Sequence, residues 1–221
     1  MRHRSTLTAF LAAACITSPA AAQSAQRWSI QASGLYVAVF GSAYDGLNNG
    51  GGGELQVRVT PSLWSYGFGA QFSKHGLSNS PGNNIGLSGI FFEPRRVFDI
   101  GSAKVAPYVS ARLAYLQQAA DVSSSGGQTF TLSASGFQGN VGGGFLTKLS
   151  PRVNLDLGVT LGLIRFGDVT AKSGSQTSTF SGTSGTGQNA VARVGLAIGL
   201  GGGAKTSTAP AAKPVSRPAR K

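Results

Sequence analysis

The sequence predicts an all-β chain, folded as an eight-stranded antiparallel up-and-down barrel that crosses a membrane, on three observations. The first is composition: of 221 residues 33 are Gly and only 12% are charged, with little of the Glu, Lys, Leu and Ala mixture that long helices favour. The second is a period of two that runs through eight segments of strand length. The third is that the links between those segments alternate strictly between short and long. A mean hydropathy of +0.04 excludes a fully disordered polymer. No uninterrupted apolar run reaches the roughly 18–20 residues of a membrane-spanning helix, and the length fits one domain.

Residues 1–22 have the three parts of a secretory signal: Arg2 and Arg4, the apolar stretch Leu7 to Ile16, and the small residues Ala20-Ala21-Ala22 before Gln23. The expected organisation is thus a signal peptide (1–22), a barrel (23–203) and a basic Pro/Ala-rich tail (204–221). Cys15, the single cysteine, lies in the signal segment. Lipidation of it is one reading, and an incidental small apolar residue is the other, because Leu11 stands one place too far upstream for the usual lipidation motif. A mature chain without cysteine has neither disulfide nor thiolate chemistry.

The net charge of +12 is partly terminal. Of 19 basic residues, two precede Gln23 and five follow Gly203 (Lys205, Lys213, Arg217, Arg220 and Lys221), leaving 12 against 7 acids and a net of +5. A nucleic-acid groove is not implied.

The eight segments follow in order. Trp28, Ile30, Ala32, Tyr36, Ala38 and Phe40 share one parity, with Ser29, Gln31 and Ser33 on the other. Leu55, Val57 and Val59 alternate with Glu54, Gln56 and Arg58, and Trp64, Tyr66, Phe68, Ala70 and Phe72 with Ser65, Gly67, Gly69, Gln71 and Ser73. In the less regular segment Gly86 to Phe98, Ile90 and Phe92 oppose Gly89 and Glu93. Val109, Leu113 and Tyr115 alternate with Ser110 and Arg112, and Phe137, Val141, Phe145 and Leu149 with Gln138, Asn140 and Lys148. Val153 to Leu163 alternate with Asn154, Asp156, Gly158, Thr160 and Gly162, and Ala192 to Leu200 with Arg193, Gly195 and Gly199.

The second face is full of Gly, Ser, Gln and Asn, where a water-facing sheet would carry more Lys and Glu. A small barrel in lipid reverses the arrangement, with apolar side chains outside and small residues plus a few charges crowded inside. Short links are expected at Pro61-Ser62, 99–103 and 150–152; long ones, rich in Gly, Ser, Asn and Thr, run over 41–53, 74–84, 118–135 and 167–187. A two-residue turn at Pro61-Ser62 leaves Thr60 and Leu63 both facing the lumen, and the shared parity of Lys148 and Asp156 requires an odd-length turn around Pro151.

On this alternation, this loop asymmetry and an aromatic girdle of Trp28, Phe40, Trp64, Phe72 and Phe98, residues 26–200 resemble the small bacterial outer-membrane β-barrel proteins of the OmpA and OmpX type. The stretch Glu93-Pro94-Arg95 followed by Pro107-Tyr108 also looks like those of bacterial barrel families. The last strand, with Arg193, Gly195, Ile198 and Leu200, looks like a barrel-assembly signal, although that family usually ends on an aromatic residue and here Leu200 is followed by a tail. The resemblance implies a monomer in the bacterial outer membrane, with both termini in the periplasm and with membrane lipid and the barrel assembly machinery as partners.

The inward parity collects Glu54, Arg58, Glu93, Arg112, Lys148, Asp156 and Arg193. Charges in a narrow lumen are expected to pair, because an unpaired buried charge is expensive; Glu93 with Arg112, and Lys148 with Asp156, are the candidate pairs. One reading is an ionic plug that fills the barrel; the other is a gated polar path with mild anion preference. Catalysis is not expected. His75 stands as a solvated residue at the start of a loop, with Ser78 near it but no matching acid, and no cluster has metal-ligand spacing. Gly50–Gly53, Gly142–Gly144 and Gly201–Gly203 lack the Lys-Ser/Thr ending of a phosphate loop. The middle run is expected in a strand, the other two in flexible connections. No cofactor is expected. The tail is expected to be disordered, and it is either an inert solubilising segment or a contact for anionic cell-wall polymer or lipid headgroups. The leading functional reading is a non-enzymatic barrel with a structural or surface-interaction role through four loops. The alternatives are a narrow channel for small solutes and a soluble periplasmic barrel that binds a small ligand.

Overall fold

The structure, a computed structural model, describes residues 27–78, 80–123, 129–173, 176–180 and 185–200. The expected signal peptide with Cys15, the glycines at 201–203 and the basic tail lie outside the described residues. Ten strands form one antiparallel sheet: β1 (Trp28–Phe40), β2 (Leu47–Val59), β3 (Trp64–Leu77), β4 (Ser80–Val97), β5 (Val105–Ser123), β6 (Thr129–Lys148), β7 (Val153–Phe166), β8 (Val169–Ser173), β9 (Gln176–Phe180) and β10 (Thr186–Leu200). Among the described residues one 3-10 turn, η1 (Ser42–Tyr44), is found, and it follows β1. Gly41 and Gly46 flank it at φ of 88° and 79°, a backbone region in which side chains with a Cβ are strained.

β1 closes the ring. It pairs with β2 on one side, Trp28 opposite Val59, and with β10 on the other, Trp28 opposite Leu200. The staves in order are β1, β2, β3, β4, β5, β6, β7 and β10, which makes a closed eight-stranded barrel. β8 and β9 are a hairpin within the fourth long link. It pairs with β6 through Leu132 and Ala171, so the sheet continues beyond the ring without adding a stave.

The strands reach well into the links that the sequence reads as long. β2 begins at Leu47, β3 extends to Leu77, β4 starts at Ser80, and β5 and β6 stay paired as far as Ser123 and Thr129. The Thr- and Ser-rich chain has enough β preference to continue a ladder already begun. Gly50–Gly53 is correspondingly part of β2 rather than a flexible connection. A Cβ at Gly52 would collide with the Phe72 carbonyl, and one at Gly50 with the Lys74 carbonyl and the His75 ring, so close strand approach explains these glycines. Gly142–Gly144 lies inside β6, and a Cβ at Gly142 would meet the Val159 carbonyl.

The turns are mostly as short as predicted. The β2–β3 turn is longer than two residues, because Val59 opposite Tyr66 is the last pair. Its ends bond sideways instead: the Thr60 N–H donates to the Arg27 carbonyl and the Val97 N–H to the Leu63 carbonyl, each at 2.8 Å. The β6–β7 turn is odd in length, with Lys148 opposite Asn154, and the Ser150 hydroxyl accepts from the Val153 N–H at 3.1 Å.

The outer face is apolar along every stave, and Leu113, Val141 and Leu161 are more than 60% exposed. A water-soluble protein does not leave such a continuous apolar surface uncovered. Inside, the prediction of small residues and charges needs correction. Two apolar clusters occupy the two ends of the lumen. At the loop end Leu35, Val37, Tyr44, Leu87, Phe91, Leu116 and Phe166 pack together, and at the turn end Leu63, Val97, Ala106, Tyr108 and Leu146 do. Burying these residues in the narrow bore removes apolar area from water and fills space that charges could occupy only in pairs.

Candidate functional site

Between the two apolar clusters lies a layer of buried charge. Its acids are Glu54, Glu93 and Asp156 and its bases Arg58, Arg95, Arg112 and Arg193, all at most 5% exposed. The period of two points each of them inward from β2, β4, β5, β7 and β10. The flanking pairs Phe92–Leu113 and Arg95–Ser110 set Glu93 opposite Arg112. Pro94 has no N–H to give, and the β4–β5 ladder is interrupted at Glu93 and Pro94 before it resumes at Arg95.

Glu93 is the hub. Its Oε2 accepts from Arg112 Nε at 2.8 Å and Arg193 Nη1 at 2.9 Å, and its Oε1 from Arg95 Nη2 at 2.8 Å and Arg58 Nη1 at 3.3 Å. Asp156 is a second centre. Its Oδ2 accepts from Gln31 Nε2 at 2.7 Å and Arg95 Nη2 at 3.0 Å, and its Oδ1 takes the Tyr108 hydroxyl proton in a 2.6 Å bond. Arg193 Nη2 donates to the same Tyr108 oxygen at 3.1 Å. Arg112 Nη1 lies 2.7 Å from Glu54 Oε2, an ionic contact off the hydrogen-bonding direction, and donates to Gln71 Oε1 at 2.9 Å. Gln56 and Ser65 complete the surroundings of Arg58.

Each side of the layer is bounded by a ring under a guanidinium. Arg112 stands 4.0 Å from the Phe91 ring centroid toward the loop end, and Arg95 stands 3.9 Å from that of Tyr108 toward the turn end. Glycine makes room for the second contact: a Cβ on Gly144 would press on the Leu157 carbonyl and the Tyr108 hydroxyl, and one on Gly158 would strike that hydroxyl directly. Among the described residues a small cavity of about 30 Å³ lies on the turn side of the layer and one of about 20 Å³ on the loop side. Each holds little more than one water.

Of the seven inward charges named from the sequence, six are brought together here and Lys148 is not. Asp156 stands opposite Leu146, and its oxygens are taken by Arg95, Tyr108 and Gln31; half-buried Lys148 lies one inward position closer to the turn, opposite Asn154. The expected Lys148–Asp156 pair is therefore not formed. Arg95 and Tyr108 were missed. Arg95 shares the parity of Glu93 two residues away, which is the signal that could have found it.

The five aromatics named as a girdle, Trp28, Phe40, Trp64, Phe72 and Phe98, all stand exposed on the outer face, between 39% and 58%. Tyr66 adds to them, stacked between Trp64 and Phe92. His75 is corrected: it is fully buried in β3, with Nε2 3.0 Å from the Ser73 hydroxyl and Nδ1 3.1 Å from the Asn48 carbonyl. Ser78 donates its hydroxyl proton to Asn48 Oδ1 at 2.8 Å. The two residues thus serve to hold the start of β2 against the end of β3.

No protein family and no curated protein sequence matches the chain. Solved structures do. Neisserial surface protein A is 18% identical with a TM-score of 0.55, the match covering 78% of this chain and 97% of that one. Ail, the attachment invasion locus protein of Yersinia pestis, is 16% identical (TM-score 0.44, 78% and 97% covered). The N-terminal β-barrel domain of Pseudomonas aeruginosa OprF is 13% identical (TM-score 0.38, 78% and 98% covered). The fold is that of the small eight-stranded outer-membrane β-barrels.

Proposed function

We propose that this chain is a non-enzymatic outer-membrane barrel, closed to solutes, whose work is done by its loop end at the cell surface. The observation that carries this reading is the filled bore: a buried ionic layer held between two apolar clusters. Above the ring, β5, β6, β8 and β9 form a four-stranded sheet that offers a surface for contact beyond the barrel. The apolar outer face speaks against the soluble ligand-binding alternative, and the filled bore against the channel. The name of one similar structure, a neisserial surface protein, fits a surface role.

An even number of staves puts both ends of the barrel on one side, the periplasmic side in this reading. The test is Ser178→Cys in β9, in a chain whose single native cysteine is Cys15. A membrane-impermeant maleimide should label it on intact cells, and the membrane-extracted protein should migrate faster on an unheated SDS gel than after boiling. Labelling only after lysis, or recovery in the aqueous fraction with no heat shift, contradicts the proposal.

A further inference from the structure

The ionic layer does not balance. Four buried guanidiniums face three buried carboxylates, an excess of one positive charge in a setting where an uncompensated charge is costly. Glu54 lies on the loop side with Arg112 and Arg193; Arg58 and Arg95 meet Glu93, and Arg95 also Asp156, but both arginines line the turn-side cavity and no carboxylate does. The Nε of Arg95, a side chain only 1% exposed, has no hydrogen-bond partner. The Ser29, Thr60 and Ser65 hydroxyls line the same cavity; Thr60 and Ser65 share one hydrogen in a 2.9 Å bond, which leaves one hydroxyl hydrogen of that pair to donate. Its volume of about 30 Å³ fits one small particle.

From these observations we infer that the turn-side cavity is a binding site for one small monovalent anion, of the size of chloride, between Arg58 and Arg95. The anion neutralises the layer and takes the free Arg95 Nε–H. It locks the lumen as a structural counter-ion, so the site serves the closed barrel rather than conduction. A water molecule is the competing occupant: it could accept from Arg95 Nε and donate to Gln31 Oε1, which also lacks a partner on this cavity, but it would leave the charge unbalanced.

The test uses the full mature barrel in detergent micelles, unfolded by heat in sodium chloride, sodium bromide or sodium gluconate at matched ionic strength. Chloride and bromide should raise the unfolding temperature above that in gluconate, with saturation. Arg95→Gln should abolish the halide dependence. Because that variant also loses its pairs with Glu93 and Asp156, Thr60→Val provides a second reading, with a several-fold higher halide concentration needed for half-saturation. A crystal grown in bromide should show one anomalous peak within hydrogen-bonding distance of Arg95 Nε. Equal unfolding temperatures in all three salts, or water without anomalous signal at that place, overturn the inference. Because neither readout depends on where the loops point, failure here leaves the surface-role proposal standing.

Discussion

Arg193 on β10 and Glu93 on β4 are joined across the full bore of the barrel, Nη1 to Oε2 at 2.9 Å, although their strands stand four staves apart in either direction. An ion pair between opposite walls spans the bore of a ring of this size, and the closed-barrel proposal rests on that geometry. Arg112 to Glu54 and Arg95 to Asp156 brace the layer along other chords. These pairs cross-link opposite walls of the barrel.

Glu93→Gln keeps the shape of the hub and removes its charge. Four guanidiniums then share two carboxylates in a buried layer, and the barrel should lose about 3–5 kcal/mol. Urea unfolding in lipid vesicles measures this; a loss below about 1 kcal/mol would show that the network is not holding the walls together.

Gly158→Ala should destabilise the barrel by about 1–3 kcal/mol, since the new methyl displaces the Tyr108 hydroxyl from Asp156. In a Tyr108→Phe background the same change should cost much less, because the atom it strikes is gone. Additive effects in this double-mutant cycle would contradict the packing described.

Leu113→Arg places a charge on the outer face near the middle of β5, at a position 67% exposed. In a bilayer the cost should be about 2–4 kcal/mol. In detergent-free water an exposed arginine would cost nearly nothing, so equal stability of the variant in vesicles would deny that this face meets lipid.

Tyr44 in η1, beyond the staves, has a phenol pushed up to about 12 from its ordinary 10.0 by burial, with the Asn189 hydrogen bond opposing. The unfolded chain releases that proton near pH 10 while the folded chain keeps it. The residue's contribution to stability is therefore whole below about pH 10, falls between about 10 and 12, and stays constant above. In a spectrophotometric titration the phenolate absorbance that Tyr44→Phe removes should develop near pH 12; its development near 10 would mean that the loop end is open to water.

The ring was legible in the sequence because a stave shows its two faces directly, as Leu55, Val57 and Val59 do against Glu54, Gln56 and Arg58. The hairpin β8–β9 was less so, since Gln176 to Phe180 alternates without any apolar face to place it. Glu93 and Arg112 could be paired from parity and hairpin register alone. Lys148 could not be excluded that way, because parity gives the face but not the depth, and depth is what separates it from Asp156. The apolar ends were missed for a similar reason. Leu35, Val37 and Val39 continue the inward parity of Ser29, Gln31 and Ser33, but an apolar residue amid an apolar strand does not announce which face it takes.

The closed bore is tested most directly by electrical recording of the purified barrel in a planar lipid bilayer. The account predicts a flat baseline, with incorporation verified by the heat-dependent gel shift of the same vesicles. Discrete single-channel steps from the wild-type protein, altered by Arg112→Ala, would contradict it and make the ionic layer a gate.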